Sequence, residues 1–271
     1  MPRGEAERAM IREFEASYRR VTAPVMQEIE RNVCGCDYGG TSWTTRDHVE
    51  LMVRLLSLRP GKTLLEVGAG AGWPGLYIAK LTNCRVVLTD LPIEGLRVAR
   101  DRAQRDGLAG RYTVIQADGA SLPVKDAAFD AVSHSDVLCC LEDKVGVLRE
   151  CRRAIRKEGR MALTVIYLPT GLSAADHAEA LGAGPPFVEA EATYEAMLAQ
   201  TGWKITSHVD LTSEFAQSMR RMAEMQEAKA GALVELSGAD AARDWLARIR
   251  EKIPAIKRRL LLRGLFVVKP V

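Results

Sequence analysis

An acid followed by closely spaced glycines is the part of this sequence where chemistry is most readily placed. Residues 63–76 read TLLEVGAGAGWPGL, an apolar run that carries one acid, Glu66, and then meets four glycines. A buried strand that turns on glycines into a helix is how α/β sheets build a site of nucleotide size. Glycine permits a positive φ and lets a ligand approach the main chain, because it has no Cβ. The stretch therefore predicts a binding site for a nucleotide-sized ligand.

Two ligands fit this stretch, depending on where the pattern begins. Gly70-x-Gly72-x-x-Gly75 matches the dinucleotide fingerprint, and Asp90 lies near the distance expected for a ribose contact. Counted from Glu66, the pattern is instead Glu-x-Gly-x-Gly-x-Gly. A carboxylate two residues before the first glycine opposes a pyrophosphate. S-adenosylmethionine has no phosphate, and its methionyl ammonium favours a nearby acid.

The elements around this stretch alternate between strand and helix patterns. Strands are predicted at 63–67, 85–89, 112–116, 129–133 and 160–167, and helices at 74–81, 93–106 and 143–157. Strands that alternate with helices imply right-handed crossovers and a parallel, doubly wound sheet. Such sheets bind ligands at the carboxyl ends of their strands.

The two flanks are predicted to add helices. Residues 1–58 have helical periodicity that Pro24 interrupts, and 169–190, rich in glycine, alanine and proline, are predicted to be a mobile crossing. A helix, a strand, two helices and a strand follow at 191–201, 203–209, 213–231, 239–254 and 260–268. We expect one structural domain with three parts, namely a helical cap (1–58), a cofactor-binding core (59–168) and a C-terminal part of the sheet with inserted lid helices (169–271).

Composition limits the class of protein. The formal charge of +3 is too small to indicate nucleic-acid binding, and no basic stripe is interleaved with aromatics. The six cysteines form no pair of C-x-x-C units, so no metal site is predicted. Vicinal Cys139 and Cys140 fit a reducing compartment, and no stretch approaches transmembrane length. We therefore expect a cytoplasmic protein without a membrane partner.

The spacing of the motifs resembles a known family. Glu66 with its glycines, Asp90 after the second strand, Asp118 after the third and FDAVSHSDVLCCLED at 129–143 resemble class I S-adenosylmethionine-dependent methyltransferases. The resemblance is strong over 60–168 and looser beyond. It implies a Rossmann-like seven-stranded sheet of order 3-2-1-4-5-7-6 with strand 7 antiparallel, and S-adenosyl-L-methionine as the cofactor.

The segment after the fourth strand narrows the resemblance. Residues 133–144 are most similar to the small-molecule branch that includes phosphoethanolamine and sarcosine-type N-methyltransferases. Those enzymes often place a histidine where this chain has Cys139 or Cys140, so their base is not carried over.

Site roles follow from this resemblance. Glu66 is expected at the ammonium, Asp90 at the ribose hydroxyls and Asp118 at the adenine amino group. The remaining cofactor-binding residues are expected to be Gly68, Ala69, Gly70, Gly72, Leu91, Gly119, Ser135, Tyr38 and Thr44. The expected catalytic residues are His134, which could take a proton, and Asp136, which could orient or attract the acceptor.

Two further positions have structural interpretations. Tyr18 lies on the apolar face of its helix and is predicted to be a core residue. Met219, Met222 and Met225 share one face of an inserted helix, which favours a packed lid over an acceptor pocket.

The predicted function is in-line methyl transfer from S-adenosylmethionine to an N, O or S nucleophile of a small molecule, by a monomer or homodimer. Three alternatives stay open. One is a nucleic-acid or protein methyltransferase, although the chain lacks the Asn/Asp-Pro-Pro-Tyr turn of base-amino methylation. The others are an NAD(P)-dependent oxidoreductase and a non-catalytic cofactor-binding protein.

Overall fold

A seven-stranded sheet forms the centre of the molecule. In a computed structural model, which describes residues 4–271, the strand order is β3-β2-β1-β4-β5-β7-β6. Strand β7 runs antiparallel to β5 and β6, and the other neighbours pair in parallel. The strands are β1 Thr63–Val67, β2 Arg85–Asp90, β3 Tyr112–Gln116, β4 Phe129–Ser135, β5 Ile155–Tyr167, β6 Trp203–Asp210 and β7 Leu262–Pro270. The predicted fold class and strand order are confirmed.

Helices cover both faces of the sheet and one edge. They are α1 Glu5–Tyr18, α2 Pro24–Cys34, α3 Arg46–Leu56, α4 Gly75–Thr82, α5 Ile93–Arg105, α6 Lys144–Ala154, α7 Ala174–Ala183, α8 Tyr194–Gln200, α9 Thr212–Ala228, α10 Ala230–Ser237 and α11 Ala239–Lys257. Pro24 begins α2, where a missing N–H costs nothing. Among residues 4–271, no helix has the length and apolar composition needed to cross a membrane.

Two sequence predictions differ from the structure. Residues 169–190, predicted to be a mobile crossing, contain helix α7, which the Ser173 hydroxyl caps by accepting the Asp176 N–H at 3.1 Å. The helix predicted at 143–157 ends at Ala154, because Ile155 already pairs with Phe129 in the sheet. The pairing of β4 with β5 then shifts register and resumes at Ala131 and Arg160, so β5 begins earlier in the chain than predicted.

The sheet is buried on both faces. Leu65 and Val132 belong to one apolar cluster, whereas their chain neighbours Leu64 and Ala131 belong to another. Strands buried on both sides read as continuous apolar runs, which is why β1 was recognisable from sequence. Packing from both sides fixes the carboxyl ends of β1, β2 and β4 at one edge.

Candidate active site

The loop after β1 is shaped by glycines. Gly68 and Gly70 have φ of 68° and 49°, in the left-handed region that favours glycine. A Cβ on Gly68 would collide with the Val137 side chain, and one on Gly70 with the Tyr18 hydroxyl. The loop therefore exposes main chain where side chains from α1 and from the end of β4 converge on it.

Asp90 ends β2 with its carboxylate turned to this loop. Its Oδ2 accepts the Gly70 N–H at 2.6 Å, and its Oδ1 accepts the Leu91 N–H at 2.7 Å. Burial raises the pKa of Asp90 to about 6, although both hydrogen bonds oppose the shift. A carboxylate has about four acceptor sites, so Asp90 retains capacity for the hydroxyl groups of a ligand.

A cavity of about 510 Å³ adjoins Asp90. The volume falls within the range of roughly 300–1,000 Å³ that is usual for small-molecule sites. Its polar wall, at the strand ends, contains Gly68, Asp90, Leu91, Ser135 and Asp136. Its apolar wall comes from α1, α2, α9 and α11 and includes Phe14, Met26, Ile29, Met222, Trp245 and Ile249. One cavity thus joins the glycine loop to a large apolar chamber.

Two buried polar atoms beside the loop suit a polar ligand. Within residues 4–271, neither Oε1 of Glu66 nor Oγ of Ser135 has a hydrogen-bond partner. The other oxygen of Glu66 accepts a hydrogen bond from the Ser133 hydroxyl, and burial raises the pKa of Glu66 to about 8. An unpaired buried polar group costs roughly 1–3 kcal/mol, which a ligand with amine and hydroxyl groups offsets. These residues fit the predicted cofactor.

The two atoms differ in access. Ser135 lines the cavity, whereas Glu66 is fully buried and is not part of its wall. The contact of Glu66 with an ammonium therefore stays a prediction. Ala69 and Gly72 also lie outside the wall; they close the turn through the hydrogen bond from the Gly72 N–H to the Ala69 carbonyl at 2.7 Å.

The adenine contact also stays a prediction. Asp118 follows β3 but does not line the cavity, and its Oδ1 accepts the Ala120 N–H at 2.9 Å in an Asx turn. A Cβ on Gly119 would lie 3.1 Å from Val67, so the main chain at Gly119 approaches β1 closely.

Tyr18 is buried in an apolar cluster, which confirms its predicted core position, whereas Tyr38 lies outside the cavity wall and its contact with the cofactor stays a prediction. Tyr18 lines the cavity, and its hydroxyl lies 3.0 Å from the Thr41 hydroxyl. Tyr38 packs against Trp73 and donates its hydroxyl to Asp106 at 2.6 Å, in a separate surface pocket. The loop after α2 packs Tyr38 against Trp73 and against Tyr77 of α4.

Thr44 and Asp136 belong to a buried network that is centred on Arg263. The Arg263 guanidinium lies 3.0 Å from each carboxylate oxygen of Asp136 and donates to the Thr44 hydroxyl at 2.8 Å. Asp136 also accepts the Trp43 N–H at 2.8 Å. Thr44 is fully buried and is not part of the cavity wall, so its contact with the cofactor stays a prediction. Asp136 lies at the cavity wall, but Arg263 balances its charge, so its geometry is that of a positioning residue.

His134 is fully buried and is not part of the cavity wall, so its role as a catalytic residue stays a prediction. Successive side chains of a strand point to opposite faces, so His134 faces away from Ser133 and Ser135. It is fully buried, and neither ring nitrogen finds a hydrogen-bond partner in the described chain. Burial lowers the pKa of His134 to about 4, so the ring is neutral at physiological pH.

Two functional residues were missed in the sequence. Glu30 lines the cavity and accepts the N–H groups of Gly39 at 2.6 Å and Gly40 at 3.0 Å. Burial raises its pKa to about 7. Glu30 lies beside Ile29 on the buried face of α2, and Arg263 is the one charge in LLLRGLFVV at 260–268. A charge inside an apolar pattern was the signal for both.

Comparisons with known proteins agree with this site. Residues 65–163 match the family described as a methyltransferase domain. The 27-O-demethylrifamycin SV methyltransferase of Amycolatopsis mediterranei (strain S699) is 31% identical over 177 residues, which cover 64% of this chain and 65% of that protein. This chain therefore covers less than two thirds of that relative's length.

Solved structures share the whole fold. The [4+2]-cyclase SpnF superposes with a TM-score of 0.77 at 20% identity, covering 100% of this chain and 98% of that one. A phosphoethanolamine N-methyltransferase 2 of Haemonchus contortus, in complex with phosphomonomethylethanolamine and S-adenosylhomocysteine, gives 0.77 at 17% identity, covering 96% of this chain and 60% of that one. At these identities the likeness shows the fold alone.

Proposed function

We propose that this chain, which belongs to the class I S-adenosylmethionine-dependent methyltransferases, transfers a methyl group to a nucleophilic atom of a small, largely apolar molecule. The observation that carries the proposal is the continuity of the cavity. It runs from Asp90 and Gly68 to the apolar wall of α9 and α11, so donor and acceptor share one enclosure. The family match supplies the reaction class, and the apolar wall supplies the class of acceptor.

Binding the cofactor falls to the strand ends. S-adenosylmethionine supplies a methyl group that is already activated on a sulfonium sulfur. Asp90, held by two main-chain N–H groups, would accept the ribose hydroxyls, and Oε1 of Glu66 would meet the ammonium. Ser135 offers its unpartnered hydroxyl to the same ligand. Alignment of two bound reactants can contribute roughly 7–11 kcal/mol, so positioning is the main task of these residues.

Among residues 4–271, the cavity wall contains no histidine, and each of its four acids already has a partner, Glu13 through Arg248 and Asp90 through two main-chain N–H groups. His134 lies outside the wall, and Asp136 is paired with Arg263. Glu30 is held by main-chain N–H groups. The acceptor must therefore bring a nucleophile that is reactive without a strong base, such as a thiol, an unprotonated amine or an ionised hydroxyl.

The alternatives have weaker support. The match of residues 65–163 to a methyltransferase domain disfavours an NAD(P)-dependent oxidoreductase. The helices that enclose the apolar chamber suit a small acceptor better than a polymer. Because one fold can host different reactions, the proposal needs a direct test.

The test is calorimetric titration of S-adenosylhomocysteine into the wild type, Asp90→Ala and the exposed control Asp101→Ala. We expect measurable binding to the wild type and the control. Loss of hydrogen bonds to a charged group, worth roughly 1.5–3 kcal/mol each, should weaken Asp90→Ala at least about tenfold. Unmeasurable binding to the wild type would refute the proposal. A screen of apolar hydroxyl compounds, amines and thiols for S-adenosylhomocysteine production then identifies the nucleophile.

A further inference from the structure

One end of the cavity carries excess positive charge. Where α1 and α11 meet, the wall contains Arg20, Arg248 and Lys252 but one acid, Glu13. Glu13 is engaged by Arg248 at 3.1 Å, and the Arg20 guanidinium stacks 5.0 Å from the ring centre of Trp245. In the part of the chain that the structure describes, Lys252 has neither an ion pair nor a hydrogen bond. In this described part its ammonium therefore lacks a counter-ion, as does the guanidinium of Arg20, which stacks on Trp245 instead.

Lys252 also lies near the end of β4. It is half-buried, burial lowers the pKa of its ammonium, and it lines the same cavity as Cys139 and Cys140. Cys139 and Cys140 closely follow Asp136, which is part of the polar wall. Removing an ammonium from water without a partner is unfavourable, so this position favours a ligand that supplies negative charge.

We propose that the acceptor is an apolar molecule with an acidic hydroxyl, of the phenol or enol class, and that the Lys252 ammonium binds its ionised oxygen. The proposal deepens the proposed function and rests on it. At one end of the cavity the acids Asp90 and Glu30 lie at the strand ends and on α2, which suits a cationic donor. At the other end the cations lie by α11, which suits an anionic acceptor. The same cations disfavour a protonated amine.

The step balances without a protein base. The hydroxyl first loses its proton to water, because the nearby ammonium stabilises the resulting anion. A lone pair of that oxygen forms the bond to the methyl carbon while the carbon–sulfur bond breaks, and the breaking pair stays on sulfur. One negative and one positive charge are thereby cancelled.

The experiment uses 7-hydroxy-4-methylcoumarin, an apolar phenol whose neutral and ionised forms differ in absorption. It is titrated across pH into the full chain as wild type, Lys252→Met, Lys252→Arg and Lys257→Met, the last an exposed lysine on the same helix. The wild type, Lys252→Arg and Lys257→Met should bind the ionised form about tenfold to a hundredfold tighter than the neutral form. Lys252→Met should lose this preference, while 7-methoxy-4-methylcoumarin binds all four proteins alike.

Three results overturn the proposal: no coumarin binding to the wild type, an unchanged preference in Lys252→Met, or a lost preference in Lys252→Arg. Calorimetry with S-adenosylhomocysteine on the same preparations separates this proposal from the proposed function. Failure of that titration with the wild type refutes methyl transfer and leaves the coumarin result readable. Normal binding of S-adenosylhomocysteine without discrimination of the coumarin refutes the role of Lys252 alone.

Discussion

Buried carboxylates around the candidate site have different stabilising partners. Asp136 is paired with Arg263, whereas Glu30 and Asp90 accept main-chain N–H groups. Glu66 has the Ser133 hydroxyl as a partner and one oxygen without any in the described chain. The surroundings of Glu66 therefore favour its protonated form until a cation arrives.

Binding of S-adenosylhomocysteine should release about one proton at pH 7, where an acid with a pKa of about 8 is mostly protonated. The ammonium of the ligand requires the ionised form of Glu66. Below its pKa, Glu66 must lose a proton before it can bind the ammonium, whereas above its pKa it is already ionised. Affinity should therefore rise with pH and level off above about 8. Calorimetry in buffers of different ionisation enthalpy measures the release. Glu66→Gln should abolish it, and zero release from the wild type would refute the ammonium contact.

The buried pair of Arg263 and Asp136 should be costly to break. Arg263→Met leaves a buried carboxylate without its counter-ion, which costs roughly 3–5 kcal/mol, whereas adding Asp136→Asn should recover much of the loss. Urea unfolding measures both. Arg259→Met serves as a control. The Arg259 side chain, which pairs with Asp210, is 56% exposed, and exposed ion pairs contribute about 0–1 kcal/mol. Equal stability of the single and double variants would contradict an energetic role for the pair.

At this scale, local pattern decided what the sequence could predict. Glu66 and Gly68 lie in one short motif and Asp90 ends the next strand, and the structure brings the loop and Asp90 together at 2.6 Å, from the Gly70 N–H to the carboxylate. Arg263 and Asp136 are 127 residues apart, so no spacing rule joins them. Strand alternation separates neighbouring residues of β4, because Ser135 lines the cavity and the adjacent His134 does not.

The loop at 39–45 is the element that closes the polar side of the cavity. Glu30 of α2 holds its first residues, and Asp136 accepts the N–H of Trp43. The indole of Trp73 donates to the Thr44 carbonyl at 2.7 Å, which fixes the far end. The loop is thus attached to α2, the sheet and α4 at separate points.

Glu30→Ala should loosen this loop. Two buried N–H groups lose their acceptor, which costs roughly 1–3 kcal/mol, and binding of S-adenosylhomocysteine should weaken because Thr41 and Trp43 line the cavity. Hydrogen exchange at Gly39 and Gly40 measures the loosening. Glu28→Ala on the same helix is the control, because Glu28 is 44% exposed and pairs with Lys229. Unchanged exchange in Glu30→Ala would show that other contacts hold the loop.

Elements with continuous apolar patterns were predicted closely, and those set by distant contacts were not. Strand β1 spans the predicted 63–67, because both of its faces are buried. Strand β5 begins at Ile155 because Ile155 pairs with Phe129. The helical periodicity that runs through residue 154 gives no sign of this pairing in the sequence. Helix α7 is weakly amphipathic, because it is rich in alanine and contains a glycine, and it packs against α11.

Across the whole molecule, α1 connects the cofactor end of the cavity to the acceptor end. Glu15 accepts the N–H groups of Ile93 at 2.7 Å and Glu94 at 3.0 Å, so α1 caps the helix that follows Asp90. Tyr18 abuts Gly70, and Glu13 is paired with Arg248 of α11. A ligand at Asp90 therefore acts on a helix whose other contacts reach the lid.

S-adenosylhomocysteine should slow amide exchange selectively. Protection is expected in α1, at 39–43 and in the first turn of α5, because these segments join at Tyr18, Glu15 and Asp90. It should extend weakly to α11 through the exposed pair of Arg248 and Glu13, which contributes little energy. Helix α8 and strand β6 lie at the opposite edge of the sheet and should not change. Hydrogen exchange with mass spectrometry tests this pattern. Uniform protection would mean global stabilisation by mass action, and protection of α11 equal to that of α1 would mean that the ligand closes cap and lid as one body.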